Sequence, residues 1–270
     1  MCGEERRGSQ KATARFRHRL ADLKRNGCNI LLVGTDALDA ACERLLGESS
    51  AGPRYRLFVT ADSRPPTAYA RLRSVQSGPY SDSAAVVNWE ADVRGGSATE
   101  NAPAGSGPFG EESFGDGSLG ERSPGGESLV EESPGESVRD GSDASFYRTT
   151  VESDELRDLG RTIEETAETL EAESGGLSSA ELRLCFDSIV PLVADYDERT
   201  VRRFLLGVTE TVERFDGMAH YHLPAEYDSE TVDAVEALFD AVVEVQYGPE
   251  EIEQRWHLAE PDVTTDWLAL

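Results

Sequence analysis

Four short apolar runs constrain this chain more than any other feature: residues 28–34 (CNILLVG), 55–60 (YRLFVT), 181–190 (ELRLCFDSIV) and 218–223 (MAHYHL). The first is nearly continuous, as expected of a strand covered on both faces. The runs are separated by segments with helical spacing. Residues 36–46 carry Leu38, Cys42, Leu45 and Leu46 on one side, with Asp36 placed to cap the start. Residues 197–215 repeat the pattern with Val201, Phe204, Leu205, Val208 and Val212. Strand, helix and strand alternating at this spacing predict parallel βαβ units. The same reading predicts a helix over 10–26 (Phe16, Leu20, Leu23) ended by Gly27, a short helix over 67–75 and a strand over 84–89. It continues with an edge strand over 145–151, a helix over 154–173 (Leu156, Leu159, Ile163, Leu170), a helix over 229–239, and strands over 241–245 and 254–258. The expected fold class is α/β, a three-layer sandwich with a mostly parallel central sheet.

Residues 95–145 break the pattern. Gly, Ser, Glu and Pro dominate, fragments such as EESFGDGS and EESPGES recur loosely, and there are eleven acidic residues against two basic ones. Such a stretch buries too little apolar area to offset the entropy of ordering it, so a disordered acidic insert is expected. It accounts for an apolar fraction of 38%, below the roughly 45–50% of ordinary globular domains. With flexible-coil scaling its ends span roughly 40 Å, enough to sit between two strands of one domain. The predicted organisation is residues 1–94 as the first part of the domain, 95–145 as the insert and 146–270 as the second part. The insert is read as an expanded surface loop, with a partner-binding tail as the alternative.

Charge narrows the setting. The net charge is −26, with two lysines (Lys11 and Lys24), 24 arginines and 52 acidic residues. Acid-rich, lysine-poor surfaces resemble those of salt-loving archaea, where a Debye length of roughly 3 Å at 1 M salt screens dense like charge. Residues 1–29 carry net +5 and 146–270 carry net −21. The basic start reads as a surface helix covering an acidic body; nucleic-acid binding is not expected, since high salt weakens phosphate contacts. The cysteines Cys2, Cys28, Cys42 and Cys185 form no CxxC pair, and Cys28 and Cys185 read as small buried hydrophobes. No secretory leader is recognisable and no apolar run approaches the roughly 18 residues of a membrane span, so a cytoplasmic protein is expected.

The order CNILLVG, YRLFVT, LRLCFDSIVPLV, MAHYHL, LFDAVVEV, QRWHL resembles the RecA/KaiC-like P-loop NTPase fold, and in particular an uncharacterised haloarchaeal group of divergent members lacking the Walker A motif. The resemblance covers nearly everything except the insert. In working members the loop after the first strand reads GxxxxGK[ST]: its backbone N–H groups wrap the phosphates and its lysine reaches the β- and γ-phosphates. This chain has Gly34-Thr35-Asp36-Ala37-Leu38-Asp39-Ala40-Ala41 there. Only Gly34 survives; Asp39 stands for the second glycine and Ala40 for the lysine. Asp36 and Asp39 put negative charge where a polyphosphate would lie, and two unit charges about 4 Å apart repel by roughly 4 kcal/mol at an effective dielectric of 20. No lysine follows Lys24.

By the same resemblance, Asp187 occupies the place of the aspartate that holds hydrated magnesium, and Thr60-Ala61-Asp62 stands where paired catalytic glutamates are implied. Gly34 and Asp187 are therefore vestigial cofactor-site positions. The plainer reading of Asp187 is a turn-former whose carboxylate caps the next segment. His220 and His222, two apart on a strand, face one side of the sheet. Paired imidazoles suit zinc, with Asp187 as the third ligand; otherwise His222 fills the cleft left by the nucleotide. Ser188 lacks nucleophile-elbow glycines. Arg199, Arg202 and Arg203 read as a solvated helix face, and Trp256 and Trp267 as docking anchors.

The expectation from sequence is a non-catalytic, degenerate RecA/KaiC-like domain without cofactor or metal. It would act through contact with a protein partner, with homo-oligomerisation left open. Two alternatives stand beside it: a nucleotide-binding protein using the backbone amides after Gly34, and a metal-assisted hydrolase built on His220, His222 and Asp187.

Overall fold

The computed structural model describes residues 15–23, 25–47, 52–61, 65–75, 84–90, 146–259 and 262–270. The chain divides into a unit of Met1–Asp92 with Gly135–Leu270 and a second unit, Val93–Pro134. The second unit, with the expected insert over 95–145, lies outside the described residues, as do Cys2, Lys11, Lys24 and Asp62.

The apolar runs become strands that are covered on both faces. β1 (Cys28–Val33), β3 (Ala84–Trp89) and β6 (Met218–Leu223) are buried along their whole length. β2 (Tyr55–Thr60) and β5 (Leu182–Phe186) are nearly so. β4 (Phe146–Val151) lies at one edge, and β7 (Ala241–Tyr247) leads to β8 (Ile252–Leu258), β9 (Val263–Thr264) and β10 (Leu268–Ala269). The strand order is β10-β8-β7-β1-β6-β5-β2-β3-β4, with β9 paired to β8. From β7 through β4 every neighbouring pair is parallel; β8 and its partners are antiparallel. The mostly parallel three-layer α/β class expected from the sequence is thus the observed one.

Alternation along each strand sends side chains to two separate layers. Leu57, Val59, Leu184, Phe186, Ala219 and Tyr221 join the buried face of α4 (Leu156–Ser174) and α6 (Glu198–Arg214). Phe58, Val86 and Cys185 face Cys42, Leu46, Ala68 and Leu72 of α2 (Leu38–Leu46) and α3 (Pro65–Val75). α1, the helical residues 15–23 and 25–26, packs Phe16, Leu20 and Leu23 against Ile30, Val243 and Trp256. Trp256 is a core residue edge-on to Phe16 at 5.9 Å, not an exposed anchor, while the Arg255 guanidinium lies 4.6 Å from the Trp267 ring centre.

Local chemistry sets the boundaries. Asp197 caps α6, its carboxylate accepting from Thr200 N at 3.1 Å. Ser229 caps α7 (Glu230–Val235), which passes into a 3-10 turn, Glu236–Leu238, and so ends before the predicted 239. Between α4 and α6, α5 spans Val190–Asp195 with proline in its first turn. At α2 the expected cap fails: Ala37 is the N-cap, in a left-handed conformation, and no side chain caps it. Asp36 turns away and accepts from Tyr247 N at 3.3 Å. The helix start falls at Ala37, one residue after Asp36, so the carboxylate serves β7 in place of α2. The other end of α2 is held by two arginines that are register neighbours on β2 and β5. Arg56 donates to Gly47 O at 2.6 Å and Arg183 to Leu45 O at 3.3 Å. Cations at a helix C-terminus complement its dipole and satisfy its last carbonyls. Among the described residues no helix is long and apolar enough to cross a membrane.

Candidate functional site

In open parallel sheets ligands bind beyond the carboxyl ends of the strands, where the connections diverge to opposite faces. Here that edge is formed by the ends of β1, β5 and β6. The segment joining β1 to α2 is only Gly34–Ala37. Gly34 N donates to Ala225 O at 3.0 Å, so its amide is already used by the segment after β6. Gly34 has φ +147°, and a Cβ there would fall well inside contact with the Val245 carbonyl oxygen and 3.2 Å from Val245 Cγ2. The surviving glycine is therefore required by the close approach of β7. Asp39, in the first turn of α2, pairs with Arg71 of α3.

Asp187, immediately after β5, is buried. Its Oδ1 accepts from Ala61 N at 2.7 Å, and its own N–H donates to Val59 O at 3.0 Å. The carboxylate thus ties the end of β5 to the end of β2. Thr60, where a glutamate is implied by the resemblance, donates its hydroxyl to Asn88 Oδ1 at 2.6 Å. Ser188 accepts from Val190 N at 3.2 Å, a local turn bond. Arg202 donates to Ala234 O at 2.6 Å, which removes one member of the arginine row from solvent duty.

Directly under α2 lies a second constellation. His220 and His222 do share a face of β6, their rings stacked with centroids 5.4 Å apart. Their close partners are two thiols. His220 Nε2 is 3.3 Å from Cys42 Sγ, His222 Nε2 is 3.7 Å from Cys185 Sγ, and the two sulfurs are 3.2 Å apart. One ligand-type atom from each of the four lies within 4.8 Å of the other three. All four are buried, none more than 2% exposed. The metal site weighed as an alternative, His220 and His222 with Asp187, is not the grouping found: Cys42 and Cys185 stand with the two imidazoles, and Asp187 is not among the four. Sheet register explains the meeting, because Cys185 is paired with His220 across β5 and β6, and α2 drops Cys42 onto that pair. Cys185 is as buried as predicted, but its sulfur faces polar neighbours.

The electrostatics of the cluster are those of a shared thiolate. Burial opposes ionisation of Cys42, but the hydrogen bond with Cys185 and the adjoining His220 and His222 rings outweigh it, holding Cys42 well below the ordinary thiol value. Burial and the Cys42 sulfur push Cys185 well up. Burial lowers His220, which favours a neutral ring, partly offset by Cys42. Nearby, burial would weaken Arg71 as a cation, yet Cys42 and Asp39 more than compensate and raise its pKa. Two sulfurs and two imidazole nitrogens are the donor set of borderline-soft metal ions. Sequence spacing missed it because Cys42 and Cys185 are 143 residues apart. The available signal was that Cys42 lies on the apolar side of its helix.

No curated protein matches the chain in sequence. In structure it is similar to a KaiC-like protein from the hyperthermophilic archaeon Pyrococcus horikoshii OT3, with a TM-score of 0.43 and 11% identity over 86% of this chain and 78% of that one. The family of unknown function DUF7504 matches residues 27–245, from the end of α1 to β7, and this chain belongs to that family.

Proposed function

We propose that this chain is a non-catalytic, degenerate RecA/KaiC-like domain that works by protein–protein contact in regulation or signalling, in a high-salt cytoplasm. The observation that supports it is the segment Gly34–Ala37. In place of a phosphate-wrapping loop there is a short turn whose glycine packs on Val245 and whose Asp36 is bonded to Tyr247 N. The first turn of α2 presents Asp39 rather than a cation, and an anion placed there would meet carboxylates at short range. The strand that ends in Asp187 lies beside β6, the arrangement that the RecA/KaiC-like resemblance implies. Asp187 Oδ1 accepts from the Ala61 amide.

Calorimetric titration with ATP and with ADP, each with magnesium and in molar potassium chloride, tests this reading. No heat and no change in melting temperature at millimolar nucleotide are expected. Micromolar binding overturns it, since ligand at 100 times Kd adds about 2.7 kcal/mol to stability and cannot be missed.

A further inference from the structure

The thiol–imidazole cluster under α2 is not used by the reading above and stands independently of it. We propose that Cys42, Cys185, His220 and His222 form a closed, four-coordinate zinc site that fastens α2 to β5 and β6. Geometry is the first argument. With metal–sulfur and metal–nitrogen bonds of about 2.3 and 2.0–2.1 Å, tetrahedral coordination places sulfurs about 3.8 Å apart and sulfur and nitrogen about 3.6 Å apart. The corresponding separations here are 3.2 Å for the sulfurs and 3.3 and 3.7 Å for the two sulfur–nitrogen contacts. Admitting the ion requires the sulfur pair to open by roughly half an ångström and any wider pair, all being within 4.8 Å, to close, both of them movements of side-chain torsions.

Ligand chemistry selects the ion. No carboxylate belongs to the set, which excludes the oxygen-seeking calcium and magnesium, whereas paired thiolate and imidazole donors are a standard structural zinc sphere. Charge balances as well: two thiolates neutralise one divalent ion, so the site carries no net charge into the core. Without an ion, two imidazoles at 2% exposure have thiols as hydrogen-bond partners beside Leu46, Phe58 and Leu72 in the α2–α3 layer, and a thiol is a weak donor and acceptor. The four ligands also come from three elements fixed by other means. Cys185 and His220 are locked by sheet register, His222 follows on the same strand, and α2 is held at its end by Arg56 and Arg183. With the ligand atoms already within 4.8 Å of one another, the cluster is largely pre-organised for a four-coordinate ion. Four protein ligands leave no open position for water or substrate, so the site is structural and not hydrolytic.

The full chain, expressed without a histidine tag and purified in high salt under reducing conditions, is to be analysed for metal by mass spectrometry. Zinc in one-to-one ratio with the chain is expected. After removal by a chelator, titration with cobalt(II) is expected to give thiolate-to-cobalt charge-transfer absorption and the intense visible bands of a tetrahedral site, both abolished by adding zinc. The melting temperature is expected to fall on chelation and to recover on adding zinc. Because Cys42 and His222 are core residues whose replacement perturbs folding, the wild-type measurements decide. Protein that stays zinc-free after incubation with zinc, with the thiols of Cys42 and Cys185 freely alkylated, overturns the proposal. So does a Cys42–Cys185 disulfide in peptide maps, or a different metal bound stoichiometrically. None of these readouts involves nucleotide.

Discussion

Replacing Gly34 by alanine separates a structural glycine from a relic of phosphate binding. The backbone at Gly34 has φ +147°, a region in which an L side chain costs about 1–3 kcal/mol. The new Cβ also collides with the Val245 carbonyl oxygen, and retreat to an ordinary carbon–oxygen contact requires a shift of roughly 1 Å. β1 and β7 cannot easily part, because they are paired through Val33 and Glu244 at this end of the ladder; overpacking of this kind costs about 1–3 kcal/mol. Against this, alanine reduces the entropy of the unfolded chain, a gain of about 0.4–1 kcal/mol. The expected net loss is about 1–5 kcal/mol. In a domain of this size that lowers the melting temperature by about 2–4 °C per kcal/mol, or roughly 2–20 °C in all. Thermal unfolding followed by circular dichroism in molar potassium chloride, without nucleotide, measures it. A melting temperature unchanged within about 2 °C refutes the packing argument, and would return Gly34 to the role of a vestigial ligand-binding residue.

Two further perturbations test other parts of the fold. Gly207 lies within α6, and an added Cβ there meets nothing within 4 Å, so Gly207→Ala is expected to stabilise by about 0.5–1 kcal/mol through helix propensity alone; a lower melting temperature than wild type contradicts it. Glu244 of β7 accepts from Arg255 Nε at 2.5 Å and lies 2.7 Å from His257 Nε2. Burial would raise its pKa, but these two partners outweigh burial and hold it below the ordinary carboxylate value. A depressed folded pKa gives stability that is fully present above the unfolded value, about 4.3 for glutamate, and is lost as pH falls through the folded pKa. Denaturant titrations in acid are therefore expected to show a shallower loss of stability below about pH 4.3 in Glu244→Gln than in wild type. Parallel pH profiles for the two proteins argue against the assignment.

The sequence by itself determined the local architecture. Short, nearly continuous apolar runs bounded by turn residues read as strands covered on both faces, and β1, β2, β5 and β6 do lie within 28–34, 55–60, 181–190 and 218–223; the third run is longer than its strand, since β5 stops at Phe186 and Val190 opens α5. Helical spacing marked the buried faces of α2, α4 and α6 just as directly, because burial follows a period that a single segment carries in full. The residues 34–41 that follow β1 are likewise read directly from the sequence, which has no GxxxxGK[ST] pattern there. It also placed His220 and His222 on one face, since alternation along a strand is local.

What only the tertiary structure decided is who meets whom. β1 inserts between β6 and β7, and no period within β1 encodes its neighbours. Register between β5 and β6 puts Cys185 opposite His220, and the packing of α2 brings Cys42 to the same point. These are contacts between residues 35 to 211 positions apart along the chain, set by the packing of whole layers rather than by any segment's own preference. The reassigned roles have the same origin. Asp36 turned from helix cap to β7 partner, and Asp187 from a metal ligand to the tie between β5 and β2. In each case a carboxylate bonds the amide that the fold delivers, and the identity of that amide is a property of the assembled sheet.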